Sequence, residues 1–231
     1  MEFMQSPDFW IGLMKIIWIN IILSGDNAVV IALAARSLPP EQQRKAIMIG
    51  SGAAVFLRIA LTVVAAQLLA MPYLQIIGGV LLLWIGVQLL AEEEGEDDGE
   101  PKASNLMTAV RTILIADLVM SLDNVIGVAA AAKGDSLLLI IGLAISIPLV
   151  VFGSSMMIKM MERFPVIVVF GAGLIGWVGG ETIVSDVALK EILADNTWLH
   201  YAAAAAGAAF VVGIGKYLQT RHAAEEPAES N

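Results

Sequence analysis

The stretch Ser24–Arg36 reads SGDNAVVIALAAR, and Ser121–Lys133 reads SLDNVIGVAAAAK. Each sets an aspartate and an asparagine in tandem, Asp26-Asn27 and Asp123-Asn124, deep inside an apolar run. A carboxylate in hydrocarbon costs roughly 2.5–3.5 kcal/mol on insertion scales. A chain that carries this cost twice, at equivalent places, is expected to use those carboxylates.

The surrounding composition supports the hydrocarbon setting. Of 231 residues, 58% are hydrophobic and 15% charged, against about 25% charged in an ordinary soluble domain. Several runs approach or exceed the ~20 apolar residues that cross a bilayer. The short alternating segments of a membrane β-barrel are missing. The sequence therefore predicts an all-α, polytopic membrane protein. It has no cysteine, which excludes disulfides, thiolate metal sites and cysteine nucleophiles. The net charge of −9 is local in origin: seven acids fall within Glu92–Glu100, and Glu225, Glu226 and Glu229 lie in the tail. No basic patch suggests nucleic acid. The first apolar run follows acidic residues, Glu2 and Asp8, and exceeds the 7–15 residues of a signal-peptide core, so it reads as a retained helix.

Seven spans are expected, roughly Phe9–Ala35, Ile47–Met71, Pro72–Ala91, Met107–Ala131, Ser136–Met157, Phe164–Ser185 and Trp198–Leu218. Pro39-Pro40, Met71-Pro72, Lys133-Gly134-Asp135 and Met160–Pro165 punctuate them. Counted over alternate connections, one side carries Arg36, Arg44, Lys45, Lys102, Arg111, Lys159, Arg163, Lys216 and Arg221, and the other only Lys133 and Lys190. Basic loops stay in the cytoplasm, so the N-terminus is expected outside and the C-terminus inside, in a multi-pass protein of the cell membrane.

The two motifs lie 97 residues apart, and at that offset Asn20 matches Asp117, Ser24 matches Ser121, Ala32 matches Ala129 and Arg36 matches Lys133. Gly78, Trp84 and Gly86 match Gly171, Trp177 and Gly179 at an offset of 93, the difference falling in the shorter Lys133–Asp135 loop. Spans 1–3 thus resemble spans 4–6, and an odd number of spans per repeat inverts the second copy. The expected parse is a first three-helix repeat over 1–91, an acidic cytoplasmic linker over 92–106, a second, inverted three-helix repeat over 107–188, a seventh transmembrane helix over 189–220 and an acidic tail over 221–231. Inverted repeats are the recurring architecture of secondary transporters, with substrate near the midplane.

Helical arithmetic adds depth. At about 1.5 Å per residue, Asp26 lies ~6 Å to the cytoplasmic side of a span centred near Ile22, and Asn20 ~3 Å to the outer side. In span 4, centred near Val119, Asp117 lies ~3 Å inward and Asp123 ~6 Å outward. If spans 1 and 4 adjoin, Asp26 pairs with Asp117 in an inner layer and Asn20 with Asp123 in an outer one. Asn27 and Asn124 flank these layers, two turns from Asn20 and Asp117 and on the same faces. Gly25 and Gly127 would loosen the helices and offer backbone carbonyls to a cavity. Ser24 and Ser121 let helices approach closely and add hydroxyls.

Carboxylates, amides and hydroxyls are hard donors, suited to Mg, Ca and Mn rather than Zn or Cu. The candidate metal ligands are Asp26, Asn27, Asp117, Asp123, Asn124, Asn20, Ser24 and Ser121, with Glu181 in span 6 as a further ligand, a proton carrier or a solvated interfacial acid. Neither histidine, His200 or His222, is near the motifs, and the methionines Met156, Met157, Met160 and Met161 read as packing rather than a copper site. Arg58, inside span 2, either pairs with a buried acid or snorkels inward. The Glu92–Glu100 run reads as a solvated linker or a cation-concentrating mouth.

The pattern Gly25-Asp26-Asn27-Ala28, repeated as Leu122-Asp123-Asn124-Val125, resembles the TerC family of integral membrane proteins, and Ser24–Arg36 resembles its YjbE-type branch. The resemblance covers about residues 9–220. It implies a seven-span protein related to the LysE-type exporter superfamily, and manganese(II) efflux with Ca or Mg as neighbours in ligand chemistry. The family's motif acids carry over to Asp26, Asp117 and Asp123. Asn20 departs from the pattern where its repeat partner has an acid.

Export of a divalent cation against an inside-negative potential costs about 4.6 kcal/mol per 100 mV for two charges. No GxxxxGK[ST] motif supplies ATP chemistry, so proton antiport is the expected coupling. No enzyme activity and no resident cofactor is expected. The expected partners are the divalent metal substrate and membrane lipid, and a homo-oligomer is compatible with the sequence. Two rival readings stay open: export of another small solute, and an accessory role in secretion or stress response without transport.

Overall fold

Apolar runs bounded by proline and polar turns leave the backbone one way to satisfy its own polar groups in lipid, which is the helix. Accordingly, every regular element among the described residues is helical. The computed structural model describes residues 7–91, 103–132, 136–190, 196 and 198–225; among these, the side chains of 7–9, 12, 16, 19–24, 63, 65–67, 69, 103–105, 123–132, 136–139, 146 and 222–225 lie outside the described set. Seven long helices follow one another: α1 (Pro7–Ala35), α2 (Pro40–Leu69), α3 (Leu74–Ala91), α4 (Ala103–Ala132), α5 (Ser136–Arg163), α6 (Val166–Val184) and α7 (Trp198–Glu225). A 3-10 turn at Val187–Leu189 makes eight helices among the described residues.

Five stretches are long and apolar enough to cross a membrane: Pro40–Thr62, Leu74–Ala91, Ile140–Arg163, Val166–Val184 and Trp198–Arg221. Large apolar side chains also face outward, with Phe56, Phe152 and Phe170 each more than 70% exposed, as lipid-facing surfaces require and water-facing ones avoid. The chain is an all-helical membrane protein. Over their described residues α1 and α4 do not join the five, α1 contributing only a shorter apolar stretch at Gly25–Ala35. These are the two helices that carry the Asp-Asn motifs.

The expected boundaries shift in physically readable ways. Helix α2 begins at Pro40, seven residues before the apolar run, because a proline at the first helical position loses no hydrogen bond there. Helix α4 begins at Ala103, so residues 103–106 are helix rather than linker, and α7 continues to Glu225, past the expected start of the tail. The remainder of the acidic linker, 92–102, and tail residues 226–231 lie outside the described residues. Helix α1 passes through Gly25 without a break, so no backbone carbonyl is released there.

Packing sorts the helices into two units, Met1–Met71 with Ala103–Lys159 and Pro72–Lys102 with Met160–Asn231. The first unit holds α1, α2, α4 and α5 up to Lys159. Within it α1 and α2 both pack on α4 and on each other, around Leu33, Ile47 and Ile113. The second unit holds α3, α6 and α7, where α6 packs on both of the others and α3 on α7, around Leu82, Leu90, Ile175 and Val211. Close approach in this second unit depends on glycine. A methyl placed on Gly79 would sit 2.5 Å from the Gly179 carbonyl oxygen, and one on Gly176 2.5 Å from that of Gly207. Both are well inside van der Waals contact. Each unit thus draws on separate stretches of the chain, and α1 and α4, α2 and most of α5, and α3 and α6 fall in the same unit.

Asp186 holds the second unit together at the α2–α3 turn. Met71-Pro72 ends one helix, Tyr73 adopts a left-handed φ of 70°, and α3 opens at Leu74 with its first N–H groups lacking helical partners. The Asp186 carboxylate, just past α6, accepts from Tyr73 N (2.9 Å), Gln75 N (3.0 Å), Ile76 N (3.2 Å) and Ala188 N (2.8 Å). One side chain thus caps α3 and the 3-10 turn together. Burial opposes its charge, but the four N–H donors outweigh burial and hold the carboxyl below its ordinary 3.8.

Candidate functional site

The first unit contains a buried ionic cluster built from two helices. Asp117 and Ser121 stand one turn apart on α4 and so share a face; Arg58 reaches them from α2. The Arg58 Nη2 donates to Asp117 Oδ1 at 2.6 Å, and its Nε donates to Ser121 Oγ at 2.9 Å. The Ser121 hydroxyl in turn donates to Asp117 Oδ2 at 3.1 Å. Both carboxylate oxygens and the guanidinium fork are engaged in one closed network. Arg58 is 4% exposed and Asp117 6%, and Arg58 is the one buried basic residue among the described ones. A charge-assisted pair at this depth is far stronger per bond than one in water, and removal of either member would leave the other's charge buried and uncompensated.

A cavity of about 20 Å³ adjoins this pair, lined by Asn27, Ser51, Arg58 and Asp117 with apolar residues of α1, α2 and α5. That is room for a single water-sized guest. Asn27 is buried on α1. Ser51 stands two turns before Arg58 on the same face of α2; its hydroxyl is buried and has no hydrogen-bond partner among the described residues. Asp26 is half-buried, accepts the Asn27 N–H at 2.8 Å, and lies within electrostatic reach of Arg58 and Asp117. So α1 and α4 do adjoin, and Asp117 stands in electrostatic reach of Asp26, beside Asn27 in one cavity lining and hydrogen-bonded to Ser121.

Of the other expected ligands, the side chains of Asn20, Ser24, Asp123 and Asn124 lie outside the described residues, and with them the outer layer. Glu181 is exposed on α6 in the second unit, where it shares an open groove of about 260 Å³ with Trp177, His200, Tyr201 and Ala204. Glu181 and His200 thus line one groove. The methionines diverge: Met161 is core, whereas Met156 and Met160 face outward. Among the described residues no three histidine, aspartate or glutamate side chains converge as a metal cage.

The structure decides Arg58, for which the sequence allows a buried acid or the interface, in favour of the acid Asp117, and it adds Ser51, which no motif contains. The available signal is the seven-residue spacing of Ser51 and Arg58, which sets a hydroxyl and a guanidinium on one face of the apolar part of α2.

A family model described as the integral membrane protein TerC family matches residues 5–223. The chain belongs to the TerC family. Similar chains include the uncharacterized membrane protein YjbE of Bacillus subtilis (strain 168), 43% identical over 216 residues, which are 93% of this chain and 98% of that one. The UPF0053 protein YegH of Escherichia coli (strain K12) is 30% identical over 189 residues, 73% of this chain but 36% of that protein. The UPF0053 inner membrane protein YoaE of the same strain is 28% identical over 188 residues, again 73% and 36%. The match thus spans about a third of the length of these two Escherichia coli relatives. No solved structure matches the chain.

Proposed function

We propose that this TerC-family protein is a secondary transporter that exports divalent metal cations, Mn(II) foremost, from the cytoplasm. The observation that carries the reading is a polar cluster between α1 and α4: Asn27 and Asp117 line a water-sized cavity, Ser121 bonds Asp117, and Asp26 stands within electrostatic reach of Asp117. Hard oxygen donors of this kind suit Mn, Ca and Mg, and ionisable groups inside a membrane domain mark ion pathways. The pairing of repeat counterparts within each unit supports an architecture of seven spans, two inverted three-helix repeats and a seventh helix. The cell membrane is the location in this reading, as in the inner membrane of YoaE's name, with the N-terminus outside. Proton antiport supplies the energy, since protonation of Asp26, Asp117 and Asp123 from outside would release metal.

Arg58 argues against amino-acid export. It is the basic residue best placed to meet a substrate carboxylate inside the bundle, and it is already bound to Asp117.

The test is total cell manganese by mass spectrometry in a manganese-sensitive host, comparing empty vector, wild type and Asp26→Ala/Asp123→Ala at matched expression. Lower manganese in the wild type alone supports metal export through the paired motif. Equal manganese in all three sinks it and favours another solute or the accessory role. For the coupling, uptake into inverted vesicles that ignores an imposed pH gradient would rule out proton antiport.

A further inference from the structure

Asp117 is expected to hold a transported cation, yet in this structure it already holds one that cannot leave, the guanidinium of Arg58. Two of the five guanidinium N–H groups are committed, one to Asp117 and one to Ser121, and Ser121 closes the ring by donating back to Asp117. Thus two candidate ligands of the metal are tied up by the same residue. Beside them, in the cavity that Arg58 and Asp117 line, the Ser51 hydroxyl is buried with no hydrogen-bond partner among the described residues. It is a hard oxygen donor positioned next to the ion pair and not engaged by it.

We infer that Arg58 is a tethered surrogate for the substrate cation, and that it sets the selectivity of the site for divalent over monovalent ions. With Arg58 seated, Asp117 is neutralised. An incoming cation gains Asp117 and Ser121 only by displacing a +1 group from them. A divalent ion brings more charge than the group it displaces; sodium or potassium brings no more, and in addition must replace the guanidinium's two directed hydrogen bonds. The apparent affinity for any cation is lowered by the fraction of time Arg58 occupies Asp117, and only the ion with surplus charge overcomes that. Arg58 is in this sense a positioning residue that acts through Asp117. The inference rests on the reading of the inner layer as the cation site.

The test uses the purified full-length protein in detergent, with Mn(II) as the probe and its electron paramagnetic resonance signal reporting free ion. Titrations are run at constant ionic strength in choline chloride and again in potassium chloride. For the wild type, exchanging choline for potassium leaves Kd unchanged. Arg58→Gln binds Mn(II) at least tenfold more tightly in choline, and potassium then weakens it at least threefold. Arg58→Lys keeps the charge but replaces the guanidinium's planar fork with a compact ammonium on a shorter stem, which holds Asp117 and Ser121 less firmly; it tightens Mn(II) binding about threefold and stays indifferent to potassium, which keeps the test decisive should the glutamine variant not fold. Unchanged or weaker binding by either folded variant overturns the inference while leaving metal export standing. Absence of Mn(II) binding in the wild type as well as the variants overturns both.

Discussion

Replacing Asp186 should loosen the second unit out of proportion to an exposed loop acid. In Asp186→Ala, four backbone N–H groups lose their acceptor at once. A helix N-cap alone is worth about 0.5–2 kcal/mol, and an unsatisfied buried donor about 1–3 kcal/mol. Asp186 is 1% exposed, but the turn it serves lies at a helix end where water can reach part of the backbone. The expected cost is therefore about 2–4 kcal/mol, within the range of about 1.5–5 kcal/mol that one cap and one unsatisfied donor sum to. Asp186→Asn keeps one acceptor oxygen and turns an amide donor toward the remaining N–H groups, so it should lose about half as much. Because the folded-state carboxyl sits below its ordinary 3.8, its contribution is complete above about pH 4 and is lost as pH falls through the lower folded value. The assay is equilibrium unfolding in mixed detergent–SDS micelles, followed by tryptophan fluorescence, since Trp84, Trp177 and Trp198 report on this unit. Wild type and Asp186→Asn should differ between pH 5 and 8 and converge in strong acid. Indistinguishable curves at neutral pH would refute the cap as a stabilising element.

Breaking the buried pair singly, by Arg58→Met or Asp117→Leu, should cost about 3–5 kcal/mol, whereas the double variant should cost less than either single change; additive losses in the same unfolding assay would refute the coupling. Ser51→Ala should leave stability unchanged or raise it by about 1 kcal/mol, since a buried hydroxyl without a partner is removed, while weakening Mn(II) binding in the titration described above; a stability loss above that would show a partner for the hydroxyl. Gly176→Ala should destabilise the second unit by at least about 1–3 kcal/mol through overpacking against the Gly207 backbone, and Gly213→Ala, with open space at its Cβ, should be neutral or gain up to about 1 kcal/mol of helix propensity. Equal stability of the two variants would argue against the close crossing.

The helices were legible because apolar length and proline punctuation determine them almost alone, and each of the seven apolar runs overlaps one long helix. Their ends were not, because polar first and last turns such as Glu41–Lys45 extend a helix beyond the hydrocarbon without any apolar signal. The inner layer could be approached through the 97-residue offset, which singled out Asp117 as the counterpart of Asn20. What that offset could not carry was the third helix: Arg58 has no counterpart in the motif, and its contact with Asp117 spans 59 residues. The role of Asp186 was equally out of reach, since it depends on a turn 110 or more residues away. Long-range polar pairing leaves no periodicity for a sequence to display.

The glycine crossings of the second unit have a thermal consequence. Membrane helices are formed before they associate, so glycine's backbone entropy is lost at insertion, not at docking. Where Gly79 meets Gly179 and Gly176 meets Gly207, the glycines themselves have no rotamers to immobilise on docking, and much of what the crossing gains is dispersion between backbones. Such a contact has little entropy to lose as temperature rises. The α3–α6–α7 trio should accordingly keep its association over a wider temperature range than a leucine-packed bundle of equal contact area.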